Sequence, residues 1–183
     1  MPGAPSPFLS AALEWLGGGS PDGRCVRCGF DWSIGPNQTL DVIAVSPMII
    51  EATLSGRDAM AKVADGGWNA TAYICHLTDM ARGWSERWVQ LQHSPGSLLV
   101  GWDLGMLAMA RNYMSLPTAP ALWALRTSIT TFVELSEALP VDTAFLHGDW
   151  GLGTVGDVLV WLAHEHVHHQ LDIDERAANP PRG

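Results

Sequence analysis

Apolar residues recur at three- and four-residue steps along most of the chain, the spacing that gives a helix one buried face, and nowhere alternate over a convincing length with a period of two. Over residues 39–63 the repeat passes through Leu40, Ile43, Ala44, Met48, Ile49, Ala52, Met60 and Val63. It predicts an amphipathic helix, kinked or shortened where Pro47 removes a backbone donor and closed by Asp65-Gly66-Gly67. Asn69 is a capping residue type and opens a second long helix over 70–92, stopped at Ser94-Pro95-Gly96. Residues 102–114 read as a short helix or an irregular crossover, and Pro117-Thr118-Ala119-Pro120 leads into a third long helix ending near Leu139. The glycine-rich stretch from Phe145 to Gly153 reads as a loop, after which Thr154 and Asp157 make a capping-box start for a fourth helix to about Arg176. Four long helices predict an all-α fold, a four-helix bundle, and leave a sheet-based fold little support.

Ahead of the bundle, a short helix to about Leu16 and the breaker Gly17-Gly18-Gly19-Ser20-Pro21-Asp22-Gly23 precede a knuckle-like turn, Cys25-Val26-Arg27-Cys28-Gly29-Phe30. The expected organisation is an N-terminal extension over 1–37 containing this C-x-x-C turn, a bundle over 38–177 and a frayed tail over 178–183. A chain of 183 residues, 47% hydrophobic, suits one domain with a sizeable core. Its formal net charge of −9 supplies no positive field for a phosphate backbone or an anionic membrane, so nucleic acid is a poor partner. No apolar run approaches the roughly 18 residues of a membrane span and no basic region precedes an apolar stretch at the start, which gives the expectation of a cytoplasmic protein.

Three cysteines are an odd number for a disulfide framework. Cys25 and Cys28 make a possible structural metal site, but a closed site needs two further ligands and no second C-x-x-C exists. A packed turn with reduced thiols, half of a metal knuckle and a redox pair all stay open, with His93 or His147 as candidates to complete a site.

Of the seven histidines, four fall at His164, His166, His168 and His169. With about 100° per residue, the apolar face of the fourth helix is centred by Val155, Val158, Leu159, Leu162 and Ile173. His166 falls near that centre. Glu165 and His169 lie toward one edge at i, i+4, whereas His164 and His168 fall on the opposite side, where solvent is expected. Glu165 and His169 present a carboxylate oxygen and an imidazole nitrogen close enough for one divalent ion. A third ligand must come from another helix, and His76 shares a face with Tyr73, Met80, Trp84 and Leu91 that points into the bundle. Two imidazoles and one carboxylate leave coordination positions open, the arrangement of a catalytic metal. His166, through an i, i+3 pairing with His169, and the pair His164 and His168 are competing ligands, and a satisfied core or solvated face is the plain alternative.

Asp79 and Asp172 each follow a histidine by three residues and could orient its ring. The nine tryptophans are mostly core, but those near the glycine-rich stretch, with Tyr73, Met80, Trp84 and His166, could line a pocket over the metal. His147 is placed at its mouth as a catalytic acid or base. An apolar pocket within an acidic surface favours a small organic substrate.

Trp68, His76-Leu77-Thr78-Asp79 and His164-Glu165-His166-Val167-His168-His169-Gln170-Leu171-Asp172-Ile173 together resemble the DinB-like (YfiT-like) metal-binding four-helix family. In motif they are closest to its mycothiol-dependent maleylpyruvate isomerases and thiol S-transferases, whose E-x-x-x-H-x-x-D pattern falls here on Glu165, His169 and Asp172. The resemblance spans roughly residues 39–176. It implies a divalent metal, zinc first with nickel or iron(II) as alternatives, a low-molecular-weight thiol as co-substrate, and transfer to or isomerisation of a small electrophile. It also implies that a homodimer is possible. The isomerases carry a further C-terminal domain that this sequence lacks, which speaks for transfer over isomerisation. Water activated on the same metal would give a hydrolase or lyase, and a non-catalytic protein-interaction bundle is the rival of another class.

Overall fold

The computed structural model describes residues 6–15 and 23–178, so the linker before Gly23 and the tail after Ala178 lie outside the described residues. Among the described residues there are six α-helices: α1 Pro7–Trp15, α2 Pro36–Thr53, α3 Ala70–His93, α4 Leu104–Ala110, α5 Thr118–Glu137 and α6 Val155–Ala178. The four longest, α2, α3, α5 and α6, form the bundle: α3 packs on α5 and α6, and α2 on α6 and α5. No helix among the described residues is long and apolar enough to cross a membrane.

Local chemistry sets the ends of these helices. The Asn69 side chain accepts from the Ala72 N–H at 2.9 Å, and the Asp157 carboxylate accepts from the Thr154 N–H at 2.8 Å while Thr154 Oγ1 accepts from the Asp157 N–H at 3.3 Å. The helix expected over 39–63 ends ten residues early, at Thr53. A turn follows in which Gly56 takes φ +73° and the Asp58 carboxylate accepts from the Met60 N–H at 3.0 Å, so the backbone leaves the helix there despite the apolar repeat.

Pro47 sits within α2 without ending it. Its ring nitrogen has no proton for the Ile43 carbonyl, and the Ser46 hydroxyl donates to that oxygen instead, at 2.9 Å. The same hydroxyl oxygen, its proton spent, accepts from Nδ1 of His166 at 2.7 Å. A proline is thereby accommodated in a buried helix and one histidine of α6 is fixed against α2.

The glycine-rich stretch departs from the expected loop. It forms a hairpin, β2 Ala144–His147 with β3 Gly151–Thr154, and β1 Leu98–Leu99 adds in parallel to β2, giving a three-stranded sheet in the order β1-β2-β3. Gly153 is needed there: a Cβ would lie 2.7 Å from Cβ of Phe8, which α1 inserts among Trp84, Phe145, Trp150 and Trp161. The sheet and α1 thus close one end of the bundle and present His147 and Trp150 toward its interior.

Candidate metal centre

His76 from α3 and Glu165 and His169 from α6 meet between the two helices, with one ligand atom from each within 4.8 Å of the others. Nε2 of His169 lies 3.3 Å and Nε2 of His76 3.9 Å from Oε2 of Glu165. Glu165 and His76 are buried. Neither Nδ1 of His76 nor Oε1 of Glu165 makes a hydrogen bond, although Oε1 lies 3.5 Å from Nδ1 of His164, so the carboxylate is buried with capacity to spare.

The electrostatics are those of a cation site. Burial alone would push the Glu165 carboxyl up, but the imidazoles of His164, His169 and His76 outweigh it and hold the group well below the usual carboxylate range. Burial works against protonation of His169 too, yet Asp172 and Glu165 raise it to about 9. His76, facing the same carboxylate, is lowered, chiefly by desolvation. A carboxylate, an imidazole held by a second carboxylate and a neutral imidazole are a donor set that a divalent ion fits.

Asp172 accepts from His169 Nδ1 at 2.8 Å, which turns Nε2 toward Glu165. Asp79 does not play the matching part for His76. Its carboxylate takes the Tyr113 hydroxyl and the Arg111 guanidinium, because the position three residues on carries it away from the ring toward the segment after α4. His76 is held by packing instead, against the Trp68 indole at 5.4 Å between centroids.

The centre opens on a cavity of about 380 Å³ lined by His76 and Glu165 at one end. Its walls are the indoles of Trp68, Trp84, Trp102, Trp150 and Trp161. Polar groups at the other end are Arg87, His147 and Asp149. The Arg87 guanidinium lies 3.6 Å from the ring centre of Trp102 and 4.7 Å from that of Trp84, donates to the Val100 carbonyl, and is lowered to about 10 by burial, so it remains a cation. Nδ1 of His147 accepts from the backbone N–H groups of Asp149 at 3.2 Å and Trp150 at 3.3 Å, and its ring stacks on Trp150. Buried Nε1 groups of Trp102 and Trp161 have no hydrogen-bond partner.

Several residues expected in this pocket lie elsewhere. Met80 is core, Tyr73 packs against His169 and Trp68 outside the lining, and His166 faces α2 through Ser46. Burial pushes His166 down to about 3 and keeps it neutral, but with Nδ1 given to Ser46 it is not among the ligand atoms that meet at this centre. Arg87 and Trp102 were not among the expected residues. Arg87 follows His76 by eleven positions, which returns it to within about 20° of the same side of α3, and that spacing is the signal that marks it.

The expectation that His164 and His168 meet solvent is also corrected. His164 is buried and His168 partly so, because the turn at Cys25 and Cys28 packs over that side of α6. The Cys25 thiol is pushed up by burial, but backbone N–H groups of Cys28 and Arg27 and the rings of His164 and His168 bring it to about 6, whereas burial leaves Cys28 at about 11.

No family model and no curated protein sequence matches the chain. Among solved structures it is similar to YfiT from Bacillus subtilis, described as a probable metal-dependent hydrolase with an unusual four-helix bundle topology. The TM-score is 0.66 at 17% identity, over 78% of this chain and 87% of that one, which establishes a shared fold.

Proposed function

We propose that this protein is a metal-dependent enzyme that hydrolyses a small, largely apolar organic substrate, with His76, Glu165 and His169 holding a divalent ion, zinc first. The observation that carries the reading is the buried Glu165 carboxylate, set between the imidazoles of His76 and His169 with one oxygen making no hydrogen bond, in the lining of an aromatic-walled cavity. A divalent ion so held lowers the pKa of water or thiol bound to it and polarises a carbonyl.

The chain's own residues supply the rest. Asp172 fixes the tautomer and direction of His169, and Trp68 packs His76 in place. The tryptophan walls exclude bulk water and favour a planar or apolar substrate body. Arg87, with the indole N–H groups of Trp102 and Trp161, offers donors to a substrate oxygen or carboxylate. His147, with Nδ1 occupied as an acceptor, carries its proton on Nε2, where it can donate to a leaving group.

Hydrolysis is preferred on volume. About 380 Å³ holds one organic molecule and water, and is small for a thiol co-substrate of mycothiol size beside its electrophile. The likeness of fold to a probable metal-dependent hydrolase supports the same choice. Thiol transfer is the second reading, favoured by the spacing of Glu165, His169 and Asp172.

Metal-loaded protein assayed against a panel of aryl esters and amides is expected to turn over at least one of them, with the rate lost in Glu165→Gln and after chelation. In parallel, mycothiol or bacillithiol with monochlorobimane reads thiol transfer. Conjugation without hydrolysis selects the second reading, and no metal-dependent rate in either assay overturns both.

A further inference from the structure

The side of α6 turned from the cavity carries His164 and His168, one helical turn apart, and the turn at Cys25 and Cys28 sits on it. One ligand atom from each of these four residues lies within 4.8 Å of the others, and Cys25 Sγ is 3.7 Å from His168 Nδ1. His164 is 1% exposed, yet neither ring nitrogen makes a hydrogen bond: Nδ1 lies 3.5 Å from Oε1 of Glu165 without hydrogen-bond geometry, and Nε2 has no partner. A buried imidazole left so is costly unless something coordinates it. Its ring is fixed, stacked on Trp32 at 4.4 Å and edge-on to Phe30 at 5.5 Å, so it has no rotation toward solvent that would relieve the deficit.

The backbone around the cysteines is folded back on itself. The Gly29 N–H donates to the Cys25 carbonyl and the Cys25 N–H to the Phe30 carbonyl, both at 2.8 Å, and Gly29 takes φ +72°, which a side chain would strain. This tight turn brings both sulfurs to the same two imidazoles. Two cysteines separated by two residues and two histidines separated by three match the ligand spacing of a closed tetrahedral site, and two thiolates with two neutral rings cancel the charge of a divalent ion.

We propose that Cys25, Cys28, His164 and His168 form a second, closed metal site that takes one zinc-class divalent ion and fastens the N-terminal segment to α6. Both sulfurs bind as thiolates, any proton they still hold passing to solvent, and two metal–sulfur and two metal–nitrogen bonds form without any change of oxidation state. All four positions are filled by the protein, so the site is structural and leaves none for a substrate. It also reaches the cavity centre: Arg27, between the two cysteines, pairs with Asp172 at 2.6 Å, and Asp172 holds His169.

The test is metal stoichiometry with a spectroscopic signature. The reduced full-length chain is expected to bind two zinc ions. Cys25→Ser with Cys28→Ser loses one of them, and His76→Ala with His169→Ala loses the other. With cobalt in place of zinc, the wild type shows a sulfur-to-cobalt charge-transfer band in the near ultraviolet. That band persists in the His76→Ala, His169→Ala protein and is absent from the double serine variant. The wild type alone is decisive whatever the folding of the variants. A reduced, cobalt-loaded wild type without the band overturns the proposal, as does a Cys25–Cys28 disulfide that persists under those conditions or a band that the serine variant retains. Loss of the cavity ion alone leaves this site standing and removes the proposed catalytic one.

Discussion

Arg27 and Asp172 form a salt bridge at 2.6 Å between opposite ends of the described chain, and the other oxygen of the same carboxylate accepts from His169 Nδ1 at 2.8 Å. Asp172 is buried where Arg27 is half exposed, so the carboxylate is the fixed member and the arginine the clamp on it. The segment ahead of the bundle therefore bears on the orientation of a candidate ligand.

Replacing that carboxylate tests the linkage. Asp172→Asn is expected to weaken metal binding at His169 by about 10- to 100-fold, the usual effect of losing a ligand's orienting partner. Arg27→Met, one step further out, weakens it less, and helix content by circular dichroism stays unchanged in both. Competition against a chromophoric chelator reads the affinities, and equal affinity in Asp172→Asn and wild type contradicts the positioning role.

Ser46 makes a separable prediction about stability. Ser46→Ala leaves the Ile43 carbonyl beside Pro47 and Nδ1–H of His166 without partners in a buried place. The expected cost is about 1–3 kcal/mol. Chemical denaturation measures it, and metal content is expected to stay at the wild-type value, because His166 is no ligand.

Gly83 gives Trp102 its place. A Cβ there would lie 2.2 Å from the indole, which stacks on Arg87 in the cavity wall. Alanine favours a helix interior by about 1 kcal/mol over glycine, but overpacking costs about 1–3 kcal/mol. Gly83→Ala is expected to lower the melting temperature and alter the near-ultraviolet circular dichroism of the indoles. An unchanged or raised melting temperature refutes the packing argument.

His147 predicts a pH dependence of known sign. Burial, and then the Arg87 charge, place its folded-state pKa below the ordinary 6.5. The unfolded chain therefore binds this proton first, and the stability that His147 contributes is complete above about pH 6.5 and lost as pH falls below it. Protonation of Nδ1 also breaks the two bonds from Asp149 and Trp150. Melting curves should show the difference between wild type and His147→Asn shrinking from about pH 7.5 to about pH 5. A difference that grows reverses the assignment.

Local signals in the sequence were enough for the ends of α3 and α6, because Asn69, Thr154 and Asp157 cap within their own turn. The relation of Glu165 to His169 is likewise local, one helical turn, and the direction of His76 follows from the apolar residues around it. What escaped depends on partners distant in sequence. The hairpin over residues 144–154 is stabilised by Phe8 and by β1, so its glycines read as loop when taken alone. His164 and His168 looked solvated because the residues that cover them, Cys25 to Trp32, lie beyond a linker near the start of the chain. Spacing alone points Asp79 toward His76, and only the course of the chain after α4 brings Tyr113 and Arg111 to it.

The most direct measurement for the cavity centre is anomalous scattering from a crystal of zinc-loaded protein, with data on both sides of the zinc edge. The predicted result is a zinc peak within bonding distance of Nε2 of His76, Nε2 of His169 and a Glu165 carboxylate oxygen, bordering the tryptophan-walled cavity. Zinc-loaded crystals with no anomalous density among those three side chains would contradict it.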